Sequence, residues 1–65
     1  MNVDVVAQRI RAEFEEMPGM TLTMPQAARL FGIESELCRA VMERLVGSAY
    51  LRWTPAGAVT RGDRG

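Results

Sequence analysis

Between Thr23 and Gly32 the chain carries both a start signal and a stop signal for one short helix, and few local features restrict a fold more. Thr23-Met24-Pro25-Gln26 has the Thr-x-x-Gln form of a capping box, in which each side chain accepts from the other residue's backbone N–H. Pro25 falls in the first turn, where its missing N–H does no harm. Gly32 follows the last apolar position and suits the left-handed conformation that closes a helix. Ala27, Ala28, Leu30 and Phe31 supply the apolar positions of this helix over 23–31, and the small Ala27 and Ala28 let a neighbouring helix approach closely.

Ile33 is placed to plug the core beneath the turn, and Glu34 or Ser35 opens the next helix, over 34–46, with Gly47 as its stop. Leu37, Cys38, Val41, Met42 and Leu45 fall on one side of its helical wheel and make a buried stripe. Residues 21–51 therefore read as two helices joined by a tight turn at Phe31-Gly32-Ile33, followed by an extended exit, which is the grammar of a helix-turn-helix.

The flanks complete the pattern. Val3, Val6, Ala7, Ile10, Phe14 and Met17 recur at helical spacing and predict a first helix over 2–17, with Asn2 as its N-cap, Asp4 in its first turn and Pro18-Gly19 as its breaker. Val5 and Ala12 fall on its outward side as a weak second apolar face, a candidate dimer seam. Residues 20–22 are β-permissive and predict a short strand. Tyr50-Leu51-Arg52-Trp53, the turn Thr54-Pro55-Ala56-Gly57 and Ala58-Val59-Thr60-Arg61 predict a β-hairpin over 50–61, with residues 62–65 as a frayed tail. Trp53 is expected to pack at the root of that hairpin, the alternative being an exposed aromatic that stacks on a base or anchors a partner. The predicted class is α+β, mainly helical, in the order helix, strand, helix, helix, strand, strand, within a single domain.

Composition narrows the chemistry. A chain of 65 residues has little core to spare, so periodic apolar residues are structural first. No apolar run approaches the roughly 18 residues of a membrane span. The chain opens on Met1 with no basic stretch leading into an apolar block, so the expectation is a complete cytoplasmic protein without a signal peptide. One cysteine and no histidine exclude an internal disulfide and the usual ligand set of a structural zinc site, and no cofactor motif is present. Cys38 has no histidine to activate it and is expected to be a small buried hydrophobe, so no catalytic residue is assigned and no enzymatic activity is expected. The eight basic residues are all Arg and are balanced by eight acidic ones. Arg favours bidentate contact with phosphate or carboxylate, but an Arg-only, Ala- and Gly-rich composition also follows from a GC-rich genome. Zero net charge is not the basic excess of most nucleic-acid-binding domains.

The layout and two runs of sequence resemble a known family. Residues 21–33, T-L-T-M-P-Q-A-A-R-L-F-G-I, and residues 45–51, L-V-G-S-A-Y-L, are similar to the opening and to the link from recognition helix to wing of many small bacterial winged helix-turn-helix regulators. Ala49 stands where that family usually has Gly, which predicts some strain in the turn before Tyr50. The resemblance implies a double-stranded DNA partner and transcriptional regulation, with the third helix in the major groove and the wing on the backbone. The implied readers are Ser35, Glu36, Arg39, Ala40 and Glu43. The implied backbone contacts are Thr23, Gln26, Arg29, Arg52 and Arg61, with a homodimer or a partner protein completing the contact. The charges pull the other way: Glu36 and Glu43 centre the outward face of the third helix, and Arg39 can pair with either along the helix. The competing expectation is a winged helix used for protein–protein contact.

Overall fold

The computed structural model describes residues 2–62. Their elements are α1 (Val3–Glu16), β1 (Leu22–Thr23), α2 (Met24–Phe31), α3 (Ser35–Gly47), β2 (Leu51–Trp53) and β3 (Ala58–Arg61). The fold is α+β in the expected order, with three helices and a three-stranded antiparallel sheet of strand order β1-β3-β2. The register pairs Leu22 with Val59 and Thr23 with Ala58 on one side of β3, and Leu51 with Arg61, Arg52 with Thr60 and Trp53 with Val59 on the other.

Helical spacing builds the core. Val6, Ala7, Ile10 and Phe14 of α1 meet Ala27 and Phe31 of α2, and Cys38, Val41, Met42 and Leu45 of α3, with Leu51 and Val59 closing it from the sheet. Ile10, Phe14, Ala27, Cys38, Val41, Met42 and Val59 are fully buried. Each buried aliphatic or aromatic side chain stabilises such a core by roughly 1.5–3 kcal/mol. Three apolar positions depart from the pattern. Met17 is 57% exposed, because α1 ends one residue earlier and Met17 leaves the helical track at φ −130° and ψ 73°. Leu30 is exposed on the far side of α2, and Trp53 is 37% exposed at the far end of β2 instead of packing at the hairpin root.

The helix ends are set by local bonds. Asn2 accepts from the N–H of Asp4 at 2.8 Å and caps α1. Thr23 and Gln26 form the reciprocal capping box of α2, at 3.0 and 3.3 Å. The Pro18-Gly19 turn is closed by the Met20 N–H donating to Met17 O, and the carbonyl of Met20 accepts from the Thr60 hydroxyl. The ladder consequently begins at Leu22 rather than at residue 20, and Thr23 ends the strand and caps the helix at once.

Two helices end in left-handed residues. Gly32 closes α2 at φ 66°, and the Ile33 N–H returns to Ala28 O at 3.1 Å. The end of α3 differs from expectation: Gly47 is its last helical residue and Ala49 takes the left-handed position, at φ 68°. The Ala49 N–H donates to Val46 O and the Tyr50 N–H to Leu45 O, the bond pair of a Schellman motif. The strain expected at Ala49 is therefore present, because an alanine holds a conformation that favours glycine. Gly62, expected to fray, is instead fixed: its N–H donates to Tyr50 O at 2.9 Å, and a Cβ there would stand 2.8 Å from Ala49 O. The rest of the expected tail, residues 63–65, lies outside the described residues.

The two left-handed positions predict opposite mutational signs. Gly32→Val should lower unfolding stability by about 2 kcal/mol, and Ala49→Gly should raise it by about 0.5–1 kcal/mol. Gly62→Ala should cost about 1–3 kcal/mol through overpacking against backbone. Urea unfolding followed by circular dichroism measures all three, and an unchanged or lower midpoint for Ala49→Gly would contradict the account of this turn.

Candidate nucleic-acid interface

The capping box fixes where α2 starts and Gly32 fixes where it stops, so α3 is launched at a set angle with one face on the core. Its other face carries Ser35, Glu36, Arg39, Ala40 and Glu43, all exposed. Arg39 pairs with Glu43 one turn on, at 3.7 Å, and the two side chains are 65% and 59% exposed. Among the described residues Arg39 makes no such pair with Glu36, the other partner its spacing allows. An exposed pair of this kind contributes a few tenths of a kcal/mol and leaves Arg39 free to be recruited elsewhere.

The remaining candidates divide into committed and uncommitted side chains. Thr23 and Gln26 are engaged with each other's backbone N–H groups. Arg29, in the last turn of α2, and Arg52, on β2, are exposed. Arg61 is drawn back onto α1: its side chain is only 20% exposed, lies 3.7 Å from Glu15 and stacks 4.8 Å from the centre of the Tyr50 ring. The structure thus gathers the α3 residues on one face but separates Arg61 from them.

The cluster that holds Arg61 leaves no local signal in the sequence. Tyr50 lies within 5 Å of two guanidinium groups, those of Arg11 and Arg61, and its hydroxyl donates to Glu15 Oε2 at 2.7 Å, with Arg11 O at 3.1 Å. Burial and then the Glu15 hydrogen bond push the Tyr50 hydroxyl above its ordinary pKa, opposed by the positive charge of Arg61 and Arg11. Arg44 of α3 reaches Asp4 at 2.8 Å, a further tie between α1 and the rest of the fold. Glu15 and Tyr50 stand 35 positions apart, so no local spacing announces the contact.

Other chemistry is sparse. Cys38 is buried, its thiol pushed up by desolvation and directed at Met24 O at 3.8 Å. No group of three or more His, Cys, Asp or Glu is arranged to hold a metal ion among the described residues, and none of the described helices is long and apolar enough to cross a membrane. No family model, curated protein or solved structure matches the chain.

The Tyr50 cluster predicts a pH dependence. The folded-state pKa of Tyr50 lies above its ordinary value of 10.0, so the associated stability is intact below pH 10 and is lost as pH rises through the folded-state value. Tyr50→Phe should lower stability at neutral pH by about 1 kcal/mol and should flatten the fall in melting temperature above pH 10. Parallel pH profiles for the mutant and parent would contradict this.

Proposed function

We propose that this chain is a winged helix-turn-helix DNA-binding module that reads the major groove with α3, in the manner of a transcriptional regulator in the cytoplasm. One observation carries the reading: a capped helix, a left-handed glycine turn and a third helix whose outward face, from Ser35 to Glu43, is exposed along its length and, among the described residues, engaged only in its own Arg39–Glu43 pair. The major groove admits one α-helix, and the residue types on this face suit base edges. Arg39 matches guanine O6 and N7, Glu36 and Glu43 accept from the cytosine amino group, and Ala40 meets a thymine methyl.

Phosphate contacts in this reading come from the Thr23 hydroxyl and the Gln26 side-chain amide, donors that the capping box leaves unused, and from Arg29 and Arg52. The hairpin acts as the wing, with Arg52 on its outer side. Arg61 sets the angle of that wing against α1 through Tyr50 and Glu15. So few free cations give modest affinity, weakened further by Glu36 and Glu43, and favour an arrangement in which two copies share one site. The second reading is a protein-interaction surface. The Arg39–Glu43 pair, the acidic centre of α3 and exposed Leu30 favour it.

Titration of labelled duplexes selected from a random library, at several salt concentrations, tests the proposal. The expected slope of log affinity against log salt is about −2 to −3 per copy, and Arg52→Ala should reduce it by about 0.9. Arg39→Ala should relax sequence preference by about 1–3 kcal/mol. No selected duplex binding even at low salt would sink the DNA reading and leave the protein-interaction one standing.

A further inference from the structure

We propose that α1 is the seam of a symmetric dimer of this chain, formed by antiparallel pairing of its Val5, Arg9, Ala12 and Glu16 row with the same row of a second copy. α1 divides its surface between a core stripe and two further rows. Its core stripe is Val6, Ala7, Ile10 and Phe14. A second row, with members four, three and four residues apart, is Asp4, Gln8, Arg11 and Glu15. In it Asp4 is tied to Arg44, Arg11 to the Tyr50 ring, and Glu15 to the Tyr50 hydroxyl and Arg61. The adjacent row, Val5, Arg9, Ala12 and Glu16, has the same spacing and is exposed throughout, with Val5 62% exposed. Residues so spaced line one face of a helix, and this spacing forms a seam between two helices.

The charges along that row specify the occupant. Its cation, Arg9, lies in the N-terminal half, while Glu13 beside the row and Glu16 within it lie in the C-terminal half. None of the three makes an ion pair with a described residue. An antiparallel pair centred between residues 10 and 11 sets Arg9 of each copy opposite Ala12 of the other, within one turn of Glu13 and Glu16. It sets Val5 against the stem of Glu16, and the contact occurs twice, as a two-fold axis requires. A parallel pair would instead set Arg9 against Arg9 and Glu16 against Glu16.

The helix dipole agrees. The last turn of α1 holds Glu13, Glu15 and Glu16 and no basic residue, although the C-terminal end of a helix is its negative end. Antiparallel pairing brings the positive N-terminal end of the second copy alongside those carboxylates. Ala12 at the middle permits close approach. The row runs about 16 Å along the helix, so the buried area falls below the roughly 1,200 Å² of a standard interface, and the dimer is reversible. The α3 face takes no part in it, so the seam holds whether the partner of α3 is DNA or protein.

Sedimentation of the full chain at about 10 μM and about 1 mM tests the seam, because a sub-standard interface should populate the dimer only toward the higher concentration. The parent should shift from monomer toward dimer. Arg9→Glu, and separately the Glu13→Arg/Glu16→Arg pair, should each remain monomeric at the higher concentration. An equal mixture of the two variants should recover the dimer. Melting curves near that of the parent establish that α1 still folds, and the mixture keeps the test informative should either variant be weakened. A parent that stays monomeric at 1 mM overturns the proposal, its row then being covered by solvent or by another chain. A dimer unmoved by either charge reversal, or a mixture that fails to recover it, overturns this seam.

Discussion

The reversal of the chain at Ala49 is the constraint on which the rest of the molecule depends. Two bonds, from Ala49 to Val46 and from Tyr50 to Leu45, stop α3 and turn the backbone through a left-handed residue. That turn delivers Tyr50 to α1 and sends Leu51 into the core, where β2 begins. Gly62 then docks on the same three residues from the other end of the hairpin. A strained alanine holds the junction because the Tyr50 cluster and the Leu51 side chain fix both sides of it. This is the general condition under which a residue persists in a disfavoured conformation.

What the sequence made legible was local. The capping box, the Pro25 first turn, the Gly32 stop and the helical stripes all act within a few residues, so spacing alone located α1, α2 and α3 to within a residue or so. What it concealed was long-range or terminal. Met17 continues the wheel of α1 on paper, but the helix has ended before it. Leu30 and Trp53 are apolar without being interior, which periodicity cannot register in so short a helix and so short a strand. Arg61 looked like a free wing cation because its partners, Tyr50 and Glu15, come from other elements. Gly62 looked like the start of a tail because nothing near it in sequence reveals that backbone passes within 3 Å of its missing side chain.

The candidate interface was legible in position and less so in state. The α3 residues lie on one exposed face, as helical spacing required, and Arg39 chose Glu43 over Glu36. Of the four cations that the resemblance assigned to one surface, Arg61 is drawn away from Arg29, Arg39 and Arg52. Arg11, Arg44 and Arg61 bind α1 to the rest of the fold. Arg29, Arg39 and Arg52 remain for a partner, alongside Glu36 and Glu43. Such a face has little general attraction for phosphate, so any preference for DNA must come from base edges and from a second copy rather than from charge.

The measurement that bears most directly on this account is the map of amide chemical-shift changes in the labelled protein on adding a selected duplex at low salt. The account predicts changes concentrated on residues 35–43, on the first turn of α2 and on Arg52, with the Tyr50 cluster nearly still. Changes confined to α1, or none at all at saturating duplex, would contradict it.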